Sequence, residues 1–452
     1  MRGRSAGEQI ETRLLVLASR PLATPTDIAD IHELLAQPID WTTLVSSAMR
    51  HGVTAQAFAR LLEVAESELP ADVAHASRAH IDHLRAHNRE LIGELLAIVD
   101  ALKAASIDVI PLKGPLLAHL VYGDATIRAC RDLDILVRQA DVERALDVLN
   151  ELAYRPYSEK PDLTPRQEAA LSALTGQAVL WRPGARAAIE PHWDLVPGNL
   201  RLAIDYDGIW QRSRLISFQG RQIRVLAPED LVLGIAIHGG KDQWSKLQIV
   251  ADLARAIDRL SALDWSLVLA RAERERCRRI LLTGMRLVER LMGLTLPSAI
   301  TAACADDHRG VDALAEAAAN QILTDGPTAK SIFEVSAFRF RLHDRWWDRI
   351  RYVGTTMLTP REHHFGLVKL PDHLFFLYYP IKVVHDYALL PMWLILKRAR
   401  AIDAALTPDL PLFPSASPGR EERKDPSASP EREERKGPAQ REGEGVRVRP
   451  AH

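Results

Sequence analysis

The sequence predicts an α/β or α+β core flanked by N-terminal and C-terminal α-helical regions and followed by a disordered tail. Three observations lead there. Stretches on both sides of the centre carry apolar residues at helical spacing. Between about residues 107 and 225, short β-branched runs alternate with amphipathic ones. From about 407 onward apolar side chains almost vanish, so little burial is available to offset ordering entropy.

The 452 residues exceed one compact core of ordinary size, so several regions are expected. They are an N-terminal helical region at 1–82, the sheet-bearing core at 83–225, a C-terminal helical domain at 226–406, and the charged repeat tail at 407–452. In the first region helical spacing runs from Thr12 onward, and its last helix is long, with Leu91, Leu95, Ile98 and Leu102 on one face. That helix leads into "IDVIPLKG", where Ile107, Val109 and Ile110 suggest a short strand and Gly114 opens a further helix. "DLDILV" follows as a second strand, then an amphipathic helix with Val142, Ala145, Leu146 and Leu149 on one side. "QAVLWRP" and "AAIEPHWDLV" read as two strands joined by the turn "PGAR". Pro191 lacks an amide proton and so implies a sheet edge or a strand end.

Pro228, Glu229 and Asp230 then mark a helix start, and helical spacing continues through "LQIVADLARAIDRL". The run "RAERERCRRILLTGMRLVER" reads as a solvated helix face because glutamates intersperse its arginines. Trp346 and Trp347 suit a helix half packed on its domain, and "TPREHHFGLVKLPD" interrupts two late helices. "YALLPMWLIL" is much too short to span a bilayer and contains Pro391, so a packed or surface helix is expected and no transmembrane segment. In the tail, "SASPGREERKDP" recurs almost verbatim as "SASPEREERKGP".

Composition narrows the function. With 58 basic and 59 acidic residues, nothing in the charge balance favours nucleic acid. Cys130, Cys277 and Cys304 are scattered, which suits neither a disulfide framework nor a cysteine zinc site and fits a reducing cytoplasm. The N-terminal stretch lacks the apolar run of a secretory signal.

The chemistry gathers around "CRDLDILV". Strand alternation puts Leu133, Ile135 and Val137 on one face and leaves Asp132 and Asp134 together on the other, exposed one. Like charges so near each other resist ionising unless a cation sits between them, and Mg²⁺ is a natural oxygen-loving candidate. Upstream, Lys113 and Gly114 occupy a strand-to-helix turn where a lysine and free helix amides can meet phosphate. Arg128 is placed to neutralise a carboxylate or a triphosphate. Downstream, Glu190 and His192 share one strand face; Glu190 could complete a three-carboxylate metal site, whereas His192 reads as a packed histidine.

The combination "LKG", "YGDATIRACRDLDILV", "IEPHWDL" and "LAPEDLVLGIAIHGGKDQWSKLQIVADLARAI" resembles the bacterial nucleotidyltransferase family with an LKG…R…DLD pattern, within the DNA polymerase β-like superfamily, over roughly residues 40 to 400. His238, Trp244, Leu247 and Asp252 add to the match, with His238 and Asp252 read as structural. The resemblance implies an α+β fold, a small mixed β-sheet core flanked by helices, and a Mg²⁺- or Mn²⁺-dependent enzyme that moves a nucleoside monophosphate from an NTP to an acceptor and releases pyrophosphate. The acceptor, a small molecule, peptide or protein, and the oligomeric state are left open. By the same resemblance Asp132, Asp134 and Glu190 are catalytic metal ligands, and Lys113, Gly114 and Arg128 belong to the nucleotide side. Pro115, directly after the turn, removes one amide donor. With Pro191 it supports an alternative: a weakly active or inactive nucleotidyltransferase fold acting as a binding or regulatory module.

Overall fold

The computed structural model describes residues 10–21, 23–156, 163–198, 200–260, 263–324, 332–390 and 392. The tail expected to be disordered at 407–452 lies outside them.

Strands β1 (Val109–Pro111), β2 (Asp132–Val137), β3 (Arg155–Pro156), β4 (Leu180–Trp181) and β5 (Ala188–His192) form one sheet in the order β1-β2-β5-β4-β3. β2 and β5 run parallel and every other pairing is antiparallel, so the sheet is mixed. A hairpin of β6 (Arg214–Phe218) and β7 (Arg221–Val225) follows. Its Gln219 and Gly220 both have positive φ, which matches the right-handed twist of the strands in a two-residue turn.

Pro191 is not on an edge strand. β5 lies inside the sheet, with Pro191 one residue from its end. The reason is directional. The Pro191 carbonyl accepts from the Ala178 amide on the β4 side, where β4 and β5 share only the Leu180–Ile189 pair. The missing N–H therefore weakens a thin seam and spares the long ladder to β2.

The sheet separates two apolar cores. Leu133, Ile135, Val137 and Ile189 pack with Leu91, Leu95, Ile98 and Leu102 of the long helix Ala71–Ala104. Leu136, from the opposite face of β2, joins Ile110, Leu117, Val121, Leu226, Leu231 and Ile235. The second face is thus roofed by helices Gly114–Tyr122 and Pro228–Lys241. That corrects one expectation: Asp134 does not sit on an exposed face but is 2% accessible, because these helices cover it.

Trp244 locks this roof. Its indole is fully buried against Gly239 and Gly284, where an added Cβ would come within 2.5 Å and 2.3 Å of the ring. Only glycine lets helices Pro228–Lys241 and Arg278–Leu287 approach so closely. The arginine-rich run read as a solvated face is instead two helices, Trp265–Arg274 and Arg278–Leu287, broken at Arg276. Ile280, Leu281, Leu282 and Met285 are buried, and Arg271 pairs with buried Asp230 at 3.1 Å. Interspersed charges hid an apolar stripe.

Toward the C-terminal end, helix Trp346–Leu358 buries Tyr352 and leaves Trp346 and Trp347 stacked on its outer side. The segment between the late helices contains a short helix of its own, Glu362–Leu367. Phe365, Phe375 and Tyr378 form a small core there against Ala170 and Leu171 of helix Pro165–Thr175. Gln167 donates to the Tyr378 hydroxyl at 2.9 Å, and Thr164 donates to Asp372. Among the described residues no helix is long and apolar enough to cross a membrane.

Candidate active site

Parallel pairing of β2 with β5 sets Asp134 directly beside Glu190 and Leu136 beside His192. With the two-residue period of each strand, Asp134, Glu190 and His192 then point to one face. Their ligating atoms lie within 4.8 Å of one another, a group that could hold a metal ion. Asp132, half-buried one step earlier on β2, is outside that tight group.

The Asp134 carboxylate is gripped through one oxygen. His192 Nε2 lies 2.8 Å from Oδ1, and Lys113 Nζ donates to the same atom at 3.1 Å. Burial pushes the Asp134 carboxyl up, but the His192 hydrogen bond and the Lys113 charge overcome it and hold the group well below the ordinary carboxylate range. Its other oxygen, Oδ2, is buried with no hydrogen-bond partner among the described residues. Asp132 and Glu190 shift the other way: burial raises both, and the charge of Asp134 adds to it. Glu190 Oε2 also accepts from Gln177 Nε2 at 2.8 Å, and Lys241 Nζ reaches Gln177 Oε1 at 3.4 Å.

Lys113 owes its position to the turn. Gly114 has φ +67°, where a side chain would be strained, while a Cβ there would meet Asp132 O and Leu133 Cδ2 only at an ordinary 3.8 Å. Conformation rather than crowding therefore demands glycine. Helix Gly114–Tyr122 starts at this turn with Pro115 in its first positions.

Arg128 is buried and bound to Asp252, with Nε 2.9 Å and Nη2 2.8 Å from Oδ2. Tyr122 donates to Asp252 Oδ1 at 2.8 Å. Asn88 and Gln248 donate to the carbonyls of Arg128 and Ala129, pinning the loop that enters β2. The arginine thus ties the loop to helix Leu247–Arg259. Asp252 fills the structural role expected of it. His238 also lines, with Asp252, Lys113, Arg128, His192 and Lys241, the cavity between sheet and roof. Burial and the nearby Lys113 charge keep its pKa well below the ordinary histidine value.

That cavity holds about 40 Å³, room for an ion and a little water. A larger cleft of about 1160 Å³ lies alongside, lined by Gln177, Ala178, Tyr154, Trp193 and Glu362 among others. Gln177 links the two, since it lines the cleft and contacts Lys241, which lines the cavity.

Of the residues singled out in the sequence, the fold brings together Lys113, Asp134 and Glu190, sets Asp132 and Gly114 beside them, and commits Arg128 to Asp252. His192 was undervalued, although the two-residue spacing from Glu190 was its signal. Gln177 and Lys241 carried no local signal.

The mixed sheet thus gathers, on its central parallel strands and beneath a lysine, carboxylates and a histidine that could hold a metal ion. The sequence model of a family described as uncharacterised nucleotidyltransferases matches residues 37–293, more than half of the chain, and the protein belongs to that family. The match covers β1 to β7 and the helical roof, and it ends before the C-terminal helices. No curated protein matches the chain.

Proposed function

We propose that this protein transfers a nucleoside monophosphate from an NTP to an acceptor nucleophile and releases pyrophosphate, with Mg²⁺ or Mn²⁺ held by Asp134, Glu190 and Asp132. The observation that carries the reading is the pairing of Asp134 with Glu190 around a buried carboxylate oxygen without a partner. Such an atom is costly to bury unless something binds it, and a hard divalent ion suits a carboxylate donor set. A bound ion of this kind neutralises charge developing on the phosphate oxygens.

The chain's own residues supply the rest. Lys113 brings positive charge from the turn toward the phosphates, with Gly114 setting its direction. His192 orients Asp134, and Gln177 orients Glu190. Glu190, beside Asp134 and half-buried, is placed to take the proton of the acceptor nucleophile. Arg128 holds the loop before β2 in register through Asp252 and so positions the carboxylates. The large cleft beside Gln177 has room for a nucleotide or for the acceptor.

The test is incubation with each labelled NTP and Mg²⁺ or Mn²⁺ in cell extract, with the Asp132→Asn, Asp134→Asn double variant as control. Label should move from one NTP onto an acceptor in the wild type alone. Equal transfer by the variant would overturn the assignment. A second reading, a binding module without catalysis, is favoured by one specific feature: Lys113 and His192 already occupy Oδ1 of Asp134. It predicts calorimetric NTP binding with no pyrophosphate released under any acceptor.

A further inference from the structure

Outside the family match, four side chains converge. His363 and His364 lie on the short helix Glu362–Leu367, while His385 and Asp386 follow helix Tyr378–Val384. One ligating atom from each lies within 4.8 Å of all the others. His364 is fully buried, His385 and Asp386 are half-buried, and His363 reaches solvent.

Three imidazole nitrogens are turned toward a single oxygen. Asp386 Oδ1 is 2.8 Å from His385 Nδ1, 3.0 Å from His364 Nε2 and 3.7 Å from His363 Nε2. The other oxygen, Oδ2, accepts from buried Lys382 at 2.7 Å. A carboxylate oxygen has lone pairs for about two donors, so hydrogen bonding to Oδ1 accounts for two of the rings; the third, His363, packs on the His364 ring at 3.8 Å between centroids but has, among the described residues, no hydrogen bond that explains its nitrogen turning to Oδ1. A shared cation gives every ring a reason to turn there. In a tetrahedral site with metal–ligand distances of about 2.0–2.1 Å, ligand atoms stand roughly 3.3 Å apart. The three observed separations bracket that spacing.

The outer contacts also suit an ion. His364 Nδ1 faces both the Arg361 amide, at 3.0 Å, and the Arg361 carbonyl, at 3.3 Å. Either tautomer is therefore satisfied, and with Nδ1 protonated toward the carbonyl the Nε2 lone pair is free to bind metal. Lys382 occupies only the oxygen that points away from the rings, and so fixes the carboxylate without blocking the shared position.

We propose that His363, His364, His385 and Asp386 form a binding site for a divalent transition-metal ion of borderline softness, Zn²⁺ first among them. Three imidazoles and one carboxylate match that class, whereas Mg²⁺ and Ca²⁺ favour all-oxygen sites. The ion ties helix Glu362–Leu367 to the end of helix Tyr378–Val384, across the small core of Phe365, Phe375 and Tyr378 that rests on helix Pro165–Thr175. It thereby steadies Glu362, which lines the large cleft.

The full chain, stripped with a chelator, is titrated with Zn²⁺ in the presence of excess Mg²⁺. One site of submicromolar affinity is expected, together with a Zn²⁺-dependent rise in thermal midpoint. His363→Ala, at an exposed position, and His385→Ala, at a half-buried one, should each weaken binding by about 100-fold and remove most of the thermal shift. Asp134→Asn should change neither readout, which separates this site from the acidic one. Co²⁺ should give visible absorption of a tetrahedral nitrogen-oxygen site, lost in His385→Ala. Absence of submicromolar binding in the wild type would overturn the proposal, and so would affinity unaltered by both histidine substitutions.

Discussion

Asp134 and Asp386 are each held by a lysine and by imidazole, yet their surroundings differ in kind. Asp134 lies on a central strand, and the parallel neighbour brings it a second carboxylate, Glu190, beneath a helical roof. Asp386 sits on a helical turn beside three histidines, one of them open to solvent. The first assembly concentrates negative charge and suits a hard ion with phosphate; the second is nitrogen-rich and suits a borderline ion. The same lysine–carboxylate grip thus serves different chemistry, depending on what the backbone sets around it.

The sharpest way to break this comparison is Asp134→Ala. Nucleotide transfer should fall by on the order of 10³-fold or more, while Zn²⁺ affinity at the histidine cluster stays unchanged. Loss of both together would mean the two clusters are not independent.

Next in size is Asp252→Ala, which leaves Arg128 buried without its partner. Removing one member of such a pair costs about 3–5 kcal/mol, to be read from the urea midpoint. A loss below about 1 kcal/mol, the range of surface pairs, would return Arg128 to a direct role at the nucleotide.

Glu275 offers a contrast to Asp134, because burial and the charge of Asp230 push its carboxyl up to about 7 instead of down. Its folded pKa exceeds the ordinary value, so its contribution to stability is complete below the unfolded pKa and is lost as pH rises through about 7. Wild-type stability should therefore decline by about 2 kcal/mol over that window, and Glu275→Gln should flatten the decline. A slope unchanged in the variant would assign it to another group.

The smallest effect is expected for Gln177→Ala, which removes one hydrogen bond to Glu190. About 1 kcal/mol is at stake, so activity should drop no more than roughly tenfold, through turnover rather than nucleotide affinity. A larger drop, carried by affinity, would make Gln177 a nucleotide contact.

Much of the scaffold was legible because its causes are local. The alternation in "DLDILV" assigned Leu133, Ile135 and Val137 to one core and set the aspartates opposite. The turn at Gly114 and the helix start at Pro228 also follow from neighbouring residues. The misreadings were non-local. Pro191 suggested a sheet edge or a strand end; it lies one residue from the end of β5, but on an inner strand, where one missing amide does little harm because the neighbouring strand pairs briefly. The aspartate face reads as open until helices Gly114–Tyr122 and Pro228–Lys241, the second remote in sequence, are laid over it.

The carboxylate pair shows most plainly where the division falls. By itself the sequence determined that Asp132 and Asp134 share a face, and residues two apart along a strand stand roughly 6.6 Å from each other. Partners across neighbouring strands are only about 4.8 Å apart, so the tight pair is Asp134 with Glu190, joined by His192 from 58 positions away. Alternation along a strand is a property of the local backbone, but register between strands is decided by the packing of the whole sheet. Only the tertiary structure could therefore say which carboxylates meet.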